Sequence, residues 1–464
     1  MKTLAVMKFG GSLIDFNGTN LPLVIERIKD LKGSKDLGPL TVFSAPKGVT
    51  DRLQSMGEAK ALNNDYDLDS IFSSYSRLAR PHLSRDQYAR FQETLEMYRI
   101  DVEESLSRID KRFTRMLRAK ILTSGGELPT AALMSYVLQS AGVKSSFLEK
   151  GNWPIITDDN FENATPNLEL SSEHLPPLTN LLNEGNVVSI GGFMGMTHDG
   201  LPTLLGRGGS DQTAILLSIL LRNNFNVETI LLKETPVQSA DPKIVRDQEL
   251  GRVSAMSYNE AQKASVSGMT IVQNAAVRLA RASKQPITVA PLSDLRLGTS
   301  ILEEDPNPQA VKCITGLTDC AIITMNNERS KSLEDCLVLW EDYDGFLDLG
   351  SEVMDTGLVL RDFLVYDADF VRKNEERLRS FDKEMKFDYG AGIVTLVGDK
   401  MKNTPGVASI AINSILRINI KRGVFAPHTS QIILVMNSPD VPEAIREIHH
   451  QLNTKGFITE RNDS

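Results

Sequence analysis

The densest chemistry in the sequence lies in Gly206-Arg207-Gly208-Gly209-Ser210-Asp211, which runs into the apolar stretch Ala214 to Leu221. A glycine-rich turn feeding a buried helix lets consecutive backbone N–H groups converge on an anion, and the helix N-terminus adds partial positive charge. Arg207 offers a planar fork of donors suited to a carboxylate or a phosphate. Asp211 is the type of group that holds Mg2+ or orients a lysine, and Ser210 or Asp211 is the expected N-cap. For a glycine pair alone, a tight turn with a capped helix is the plainer alternative. The crowding of Gly, Arg, Ser and Asp into one short turn favours an anion site.

Similar signals recur along the chain. Leu4 to Phe9 reads as a short strand, with Lys8 near its end and Gly10-Gly11-Ser12 directly after it. A lysine beside such a turn can bridge phosphate oxygens, although no Gly-Lys-Ser/Thr follows and the turn is not of the Walker type. After the strand Leu40 to Phe43, the loop Ser44 to Asp51 carries hydroxyls at Ser44 and Thr50. They could bind a polar substrate, but taken alone the segment favours capping of the next helix. Glu127, after Gly125-Gly126, sits where a helix Leu128 to Leu138 is expected to start. A carboxylate is favoured there by the helix dipole, or it faces a substrate amine. Val187 to Phe193 is a strand with a glycine turn. Val227 to Leu232 is another strand, followed by Lys233-Glu234-Thr235-Pro236 and Ala240-Asp241-Pro242-Lys243. His198 and His428 lie in turn-like contexts that suit solvated surface histidines.

The elements that must position these residues alternate between strand and helix up to about residue 300. That pattern predicts an α/β fold, an open and mostly parallel sheet sandwiched by helices, with the site along the carboxyl ends of the strands. Residues 66–118 read as a helical excursion without chemistry of its own. The stretch Glu303-Glu304-Asp305-Pro306-Asn307-Pro308 is a linker. Beyond it, strands at Ala321–Met325, Leu358–Val365, Ile393–Val397, Ile418–Arg422 and Gln431–Met436 alternate with helices at Asp367–Leu378, Val407–Leu416 and Val441–Leu452. The expected domains are 1–303, which carries the site, and two small α+β modules at 304–385 and 386–464. The C-terminal tail is a candidate to complete the first module.

A chain of 464 residues exceeds one ordinary core. A net charge of −9 argues against a general nucleic-acid binder. Cys313, Cys320 and Cys336 form no Cys-x-x-Cys pair, so neither a disulfide framework nor a zinc site is expected. No signal peptide and no membrane span are visible, and cytoplasm is the expected location.

On these residues the chain resembles aspartate kinases of the amino-acid kinase superfamily, which carry C-terminal ACT modules. Lys8-Phe9-Gly10-Gly11-Ser12, the Ser44 to Asp51 loop, Gly126-Glu127, Gly192-Phe193, Leu205 to Asp211 and Asp241-Pro242-Lys243 are similar to the family's motifs in order. Leu396 to Ala408 resembles its second ACT module. The resemblance implies ATP-dependent, Mg2+-assisted phosphorylation of the β-carboxylate of L-aspartate, and a homodimer or higher homo-oligomer formed through the ACT modules, without nucleic acid or membrane partners. By position, Lys8 holds the transferring phosphoryl group, Arg207 clamps a substrate carboxylate and Glu127 faces the α-amine. Ser44, Thr50 and Phe193 shape the aspartate pocket, and Ser210 and Asp211 organise the phosphate end. The nucleotide set implied is Lys8, Gly10, Gly11, Ser12, Gly208, Gly209, Lys233, Glu234, Asp241 and Lys243, with no protein metal ligand. The sequence departs from the family at Lys233-Glu234-Thr235 and at Ser267 to Asn274, where Thr270 replaces the ATP-phosphate lysine. Lys233, grouped with Lys8 and Asp211 as catalytic, is then the candidate replacement cation. The first ACT module is degenerate, and the second has Gly423 to Ser430 in place of the family's serine-rich tract. A non-catalytic or regulatory paralogue and a kinase for another small amino acid are the alternatives.

Overall fold

The computed structural model describes all residues except 270, 308, 341–344, 427–429 and 459–464. The chain divides into two compact units, Met1–Pro236 with Val272–Glu303, and Val237–Ile271 with Glu304–Ser464.

The first unit opens with β1 (Thr3–Phe9), α1 (Leu21–Ser34), β2 (Leu40–Phe43) and α2 (Val49–Ala61). The helical excursion follows as α3 (Asp69–Ala79), α4 (Arg85–Ser107) and α5 (Arg115–Leu122), which leads through a π turn at Thr123–Glu127 into α6 (Leu128–Ser140). Next come β3 (Ser145–Phe147), β4 (Ile156–Thr157), α7 (Leu168–Glu173), α8 (Pro176–Asn183), β5 (Val187–Gly191), β6 (Met194–Thr197), β7 (Pro202–Leu204), α9 (Gly209–Leu221) and β8 (Asn226–Lys233). The chain then enters the second unit for β9 (Ala255–Ser257) and α10 (Tyr258–Val266). It returns with α11 (Asn274–Ser283), β10 (Ile287–Pro291) and β11 (Thr299–Leu302).

Within this unit the main sheet runs in the order β3-β5-β2-β1-β8-β10-β11, parallel throughout except for the final pair. β1 lies in the middle, and Leu4 to Met7 are fully buried, as a strand covered on both faces requires. α9 is buried almost all round, which its continuous apolar run predicts. β4, β6 and β7 form a small separate sheet.

In the second unit β12 (Cys313–Asn326), α12 (Asn327–Trp340), β13 (Phe346–Val353), β14 (Val359–Val365), α13 (Ala368–Lys373), α14 (Glu375–Arg379) and β15 (Lys386–Val397) are followed by α15 (Val407–Ser414), β16 (Arg422–Ala426), β17 (Gln431–Asn437) and α16 (Val441–Thr454). The two predicted modules share one antiparallel sheet, ordered β13-β14-β12-β15-β17-β16. β12 and β15 are much longer than their apolar patches suggested. Register shifts between Leu317 and Ile322 explain this. They switch which alternate residues face the helices, so Ile314 serves the core beneath α15 and α16, while Ala321, Ile323 and Met325 serve that beneath α12 and α13.

The break at 303/304 coincides with the expected linker, while residues 237–271 group with the C-terminal half. Ala240 and Val245 of that segment pack in the core beneath α15 and α16, a long-range partnership with no local signal. The tail returns beside Val311, with Ile458 in the same core. The three cysteines are free thiols, and no helix among the described residues is long and apolar enough to cross a membrane.

Candidate functional site

The carboxyl ends of β1 and β8 lie side by side, because the two strands pair in parallel with Phe9 opposite Leu232. Lys8 and Lys233 therefore rise from adjacent strands at the same sheet edge, and Asp211, in the first turn of α9, sits between them. Lys8 Nζ lies 2.7 Å from Asp211 Oδ1, and Lys233 Nζ lies 3.7 Å from Asp211 Oδ2. The carboxylate is 3% exposed, and the lysine side chains are 9% and 25% exposed. Burial alone would push the Asp211 carboxyl up. Lys233, Lys8 and the Gln273 N–H outweigh it and hold the group down at about 2. Burial lowers the Lys233 ammonium, Asp211 opposes that shift and Lys8 adds to it. Two cations against one carboxylate leave a net positive, largely dehydrated centre suited to a multiply charged anion.

Both oxygens of Asp211 are thus turned to lysines. Of the two roles expected for it, this geometry supports orienting a lysine. Among the described residues no cluster of three or more His, Cys, Asp or Glu could hold a metal ion.

The glycine turns bring backbone close to this centre. A Cβ on Gly11 would stand 2.3 Å from the Ala45 carbonyl oxygen, so the turn after β1 and the loop after β2 can meet only with glycine there. Gly206 and Gly208 both have left-handed backbone, φ 75° and 72°. Gly208, not Ser210 or Asp211, is the N-cap of α9, which places those two residues in the first helical turn. The cap needs left-handed φ, which glycine adopts freely, and Ser210 and Asp211 are released to face the site. Gly208→Ala combines left-handed strain with a Cβ 2.2 Å from that of Gln273. It should cost about 2–5 kcal/mol of stability, read by chemical denaturation of the variant. Gly10 and Ser12 lie in the turn next to Lys8, half-buried.

On the other side of the centre, Ser44 follows β2, with its N–H bonded to the Phe9 carbonyl. Thr50 lies in the first turn of α2, whose N-cap is Gly48 with no side-chain capping bond. The expectation that these hydroxyls cap the helix is therefore corrected, because the left-handed Gly48 already starts it. Glu127 is not at a helix start either. It ends the π turn inside a continuous helical run from Arg115 to Ser140. Gly125 and Gly126 are there for packing, since a Cβ on either would stand within 3 Å of Leu53 or Ala45. The Glu127 carboxyl is 3% exposed. Oε1 accepts a long bond of 3.4 Å from the Ala45 N–H, and Oε2 has no partner among the described residues. Burial pushes this carboxyl up to about 8. A buried, half-satisfied carboxyl is poised for a cation from outside.

Phe193 has φ 67°, a conformation that non-glycine residues seldom adopt. Its N–H is held by Thr213 Oγ1 at 3.0 Å, and a Cβ on the preceding Gly192 would stand 2.6 Å from the Ser210 side chain. Arg207 is exposed between two left-handed glycines and makes no ion pair among the described residues. Glu234 is exposed in the bend after β8.

The first unit thus gathers Lys8, Gly10, Gly11, Ser44, Glu127, Phe193, Gly208, Gly209, Ser210, Asp211 and Lys233 through a chain of direct contacts. Asp241 and Lys243 fall in the second unit, where the Lys243 N–H bonds the Asp241 carboxylate at 2.8 Å. Thr270 and His428 lie outside the described residues, and His198 is exposed in a turn. Thr213 and Gln273, which fix Phe193 and Asp211, carried no local signal; Thr213 acts through its side-chain hydroxyl and Gln273 through its backbone N–H.

The amino acid kinase family profile matches residues 3–291. Lysine-sensitive aspartokinase 3 of Escherichia coli K12 is 24% identical over 472 residues, spanning 97% of this chain and 100% of that protein. An aspartokinase of Helicobacter pylori is 25% identical over 341 residues, or 71% of this chain and 82% of that one. In three dimensions the chain is similar to E. coli aspartokinase III crystallised with aspartate and ADP. The TM-score is 0.76 at 20% identity, covering 97% of this chain and 99% of the other.

Proposed function

This chain belongs to the amino acid kinase family, and from that premise we propose that it transfers the γ-phosphoryl group of ATP to the β-carboxylate of L-aspartate, giving 4-phospho-L-aspartate. The observation that carries the substrate assignment is the pairing of Glu127, a buried carboxyl with an unpartnered oxygen, and Arg207, a free guanidinium. One suits an ammonium and the other a carboxylate, and an amino acid with a second carboxylate presents both while leaving that second group to react. The aspartokinase relatives support the same reading. This reaction is the first step from aspartate toward lysine, threonine and methionine.

Phosphoryl transfer asks little covalent help of a protein. Positioning and charge stabilisation do most of the work, and a carboxylate nucleophile needs no general base. Lys8 and Lys233 are placed to hold the oxygens of the transferring group, with Asp211 fixing both ammonium groups and offsetting their repulsion. Backbone N–H groups at Gly10, Gly11, Gly208 and Gly209 serve the remaining phosphate oxygens, with Ser12 and Glu234 as further nucleotide contacts. Mg2+ bound with ATP would supply neutralisation of phosphate charge, with no ligand expected from the protein. Ser44, Thr50, Phe193 and Ser210 shape the acceptor pocket. The C-terminal ACT-like modules form a homodimer or higher homo-oligomer, and the protein works in the cytoplasm.

The test is ADP release from Mg-ATP with L-aspartate, succinate and β-alanine as acceptors. Succinate lacks the amine that Glu127 would hold, and β-alanine lacks the carboxylate that Arg207 would hold. Turnover with aspartate alone supports the assignment; equal rates with all three contradict it.

Glu127 also gives the acceptor affinity a pH dependence. Below about 8 the empty site holds a neutral carboxyl. Binding an ammonium then requires loss of a proton, so KM for aspartate should fall about tenfold per unit as pH rises toward 8 and then level off. Because the folded-state value is raised, the folded protein binds the extra proton. Stability contributed by Glu127 is therefore full below the ordinary glutamate range and lost as pH rises through about 8. Glu127→Gln should abolish both trends, giving a flat KM profile and a higher melting temperature than wild type at pH 8.

A further inference from the structure

The helical excursion reaches the π turn on the acceptor side through Asp101, whose carboxylate accepts from the Ser124 hydroxyl at 3.4 Å, and through Tyr75. Tyr75, on α3, is fully buried, and its hydroxyl donates to the Gly126 carbonyl at 2.8 Å. The Thr130 hydroxyl donates to the same carbonyl at 2.7 Å and lies 3.1 Å from the Tyr75 oxygen. The Tyr75 ring packs edge-on against Phe16, with centroids 5.0 Å apart and planes at 89°. Phe16 belongs to the segment that follows the first glycine turn. Burial raises the Tyr75 phenol far above its ordinary range, so it is a neutral O–H donor.

These contacts bear on the π turn. A π turn holds one residue more than an α turn, and each helical residue advances the direction of a side chain by about 100°. Relaxation of Thr123–Glu127 to α-helical register would swing the Glu127 carboxyl away from Ala45. The Gly126 carbonyl, inside this turn, accepts from the Thr130 hydroxyl one helical turn on and from Tyr75 on a different helix, so Tyr75 is the tie that comes from outside the run.

We infer that Tyr75 is a positioning residue of the acceptor site: its hydroxyl on the Gly126 carbonyl and its ring on Phe16 hold the π turn that aims Glu127 at the substrate amine. This rests on the acceptor role given to Glu127 above. The excursion, read from sequence as free of chemistry, thereby sets acceptor affinity. The nucleotide end of the site does not depend on it.

Tyr75→Phe keeps the ring and removes only the hydroxyl, and a phenyl ring leaves no orphaned donor behind. In the full-length variant three readouts apply. KM for aspartate should rise about fivefold to tenfold, the loss of one buried hydrogen bond, while kcat and KM for ATP stay within twofold. Amide hydrogen exchange across Thr123–Leu128 should accelerate. The Glu127 carboxyl, followed by infrared difference titration against Glu127→Gln, should titrate at lower pH than in wild type because it samples water. An unchanged Glu127 titration and an unchanged aspartate KM would overturn the proposal, as would a parallel loss in kcat and both KM values. If wild type fails to phosphorylate aspartate, the substrate reading falls by itself, and the infrared titration and exchange alone decide the role of Tyr75. Should Tyr75→Phe not fold, Thr130→Val removes the other hydroxyl from the same carbonyl and is read in the same way.

Discussion

Lys233→Met should lower kcat by a factor of about 10² to 10³, or roughly 3–4 kcal/mol, the cost found for removing one group that stabilises developing charge in a dry site. The variant keeps the length and apolar stem of the side chain but takes the net charge of the Lys8–Asp211–Lys233 centre from positive to neutral. Lys8 still pairs with Asp211 at 2.7 Å, so the carboxylate keeps a partner and the fold is expected to survive. KM for ATP should move by less than tenfold, because the glycine turns and Lys8 still hold the phosphates in the ground state. The split is diagnostic: a cation used mainly in the transition state shows in kcat. Lys233 is the group proposed to serve where Thr270 takes the place of a lysine. A kcat within threefold of wild type would remove Lys233 from catalysis and make another cation necessary. Steady-state kinetics with both substrates varied distinguishes the outcomes.

Arg207→Ala should raise KM for aspartate about 100-fold, close to 3 kcal/mol, with little change in kcat. The guanidinium is exposed between left-handed Gly206 and Gly208 and has no ion pair among the described residues, so its fork is free for a carboxylate. That carboxylate is the one that does not react. Its contact is equally strong in ground and transition states and therefore appears in KM. Arg207→Lys should recover little of the loss, since an ammonium cannot make the paired planar contact. Neither variant should shift the melting temperature by more than a degree or two, because no buried partner is lost. A variant that binds aspartate normally but turns over slowly would instead place Arg207 at the phosphoryl end.

Much of this site is legible in the chain itself, for identifiable reasons. Gly11 sits where backbone passes within contact distance, which a Cβ would block, and Gly208 where it turns left-handed, which glycine adopts without strain. Lys8 and Lys233 each close an apolar strand, so their shared sheet edge follows from alternating strands and helices. The paired role of Asp211 needed three dimensions, because its partners are more than twenty positions away in either direction. Glu127 was visible as a candidate but misplaced. A Gly-Gly pair ordinarily breaks a helix, and here it lets the helix pack against Ala45 and Leu53 while a π turn absorbs the extra residue. Tyr75 lies in the stretch 66–118 read as free of chemistry; its hydrogen bond to Gly126 marks it out only in three dimensions. The merging of β12 to β17 into one sheet was hidden for a related reason. Periodicity reports which face of a strand is buried but not which strand lies beside it, and the register shifts in β12 break even that pattern.

The most direct test is to incubate the protein with Mg-ATP, L-aspartate and hydroxylamine and to identify the trapped product by mass spectrometry, with Arg207→Ala alongside at the same aspartate concentration. Transfer to the β-carboxylate predicts aspartate β-hydroxamate in amounts equal to the ADP formed, strongly reduced in the variant. ADP without hydroxamate, hydroxamate at the α-carboxylate, or no turnover by folded protein would contradict it.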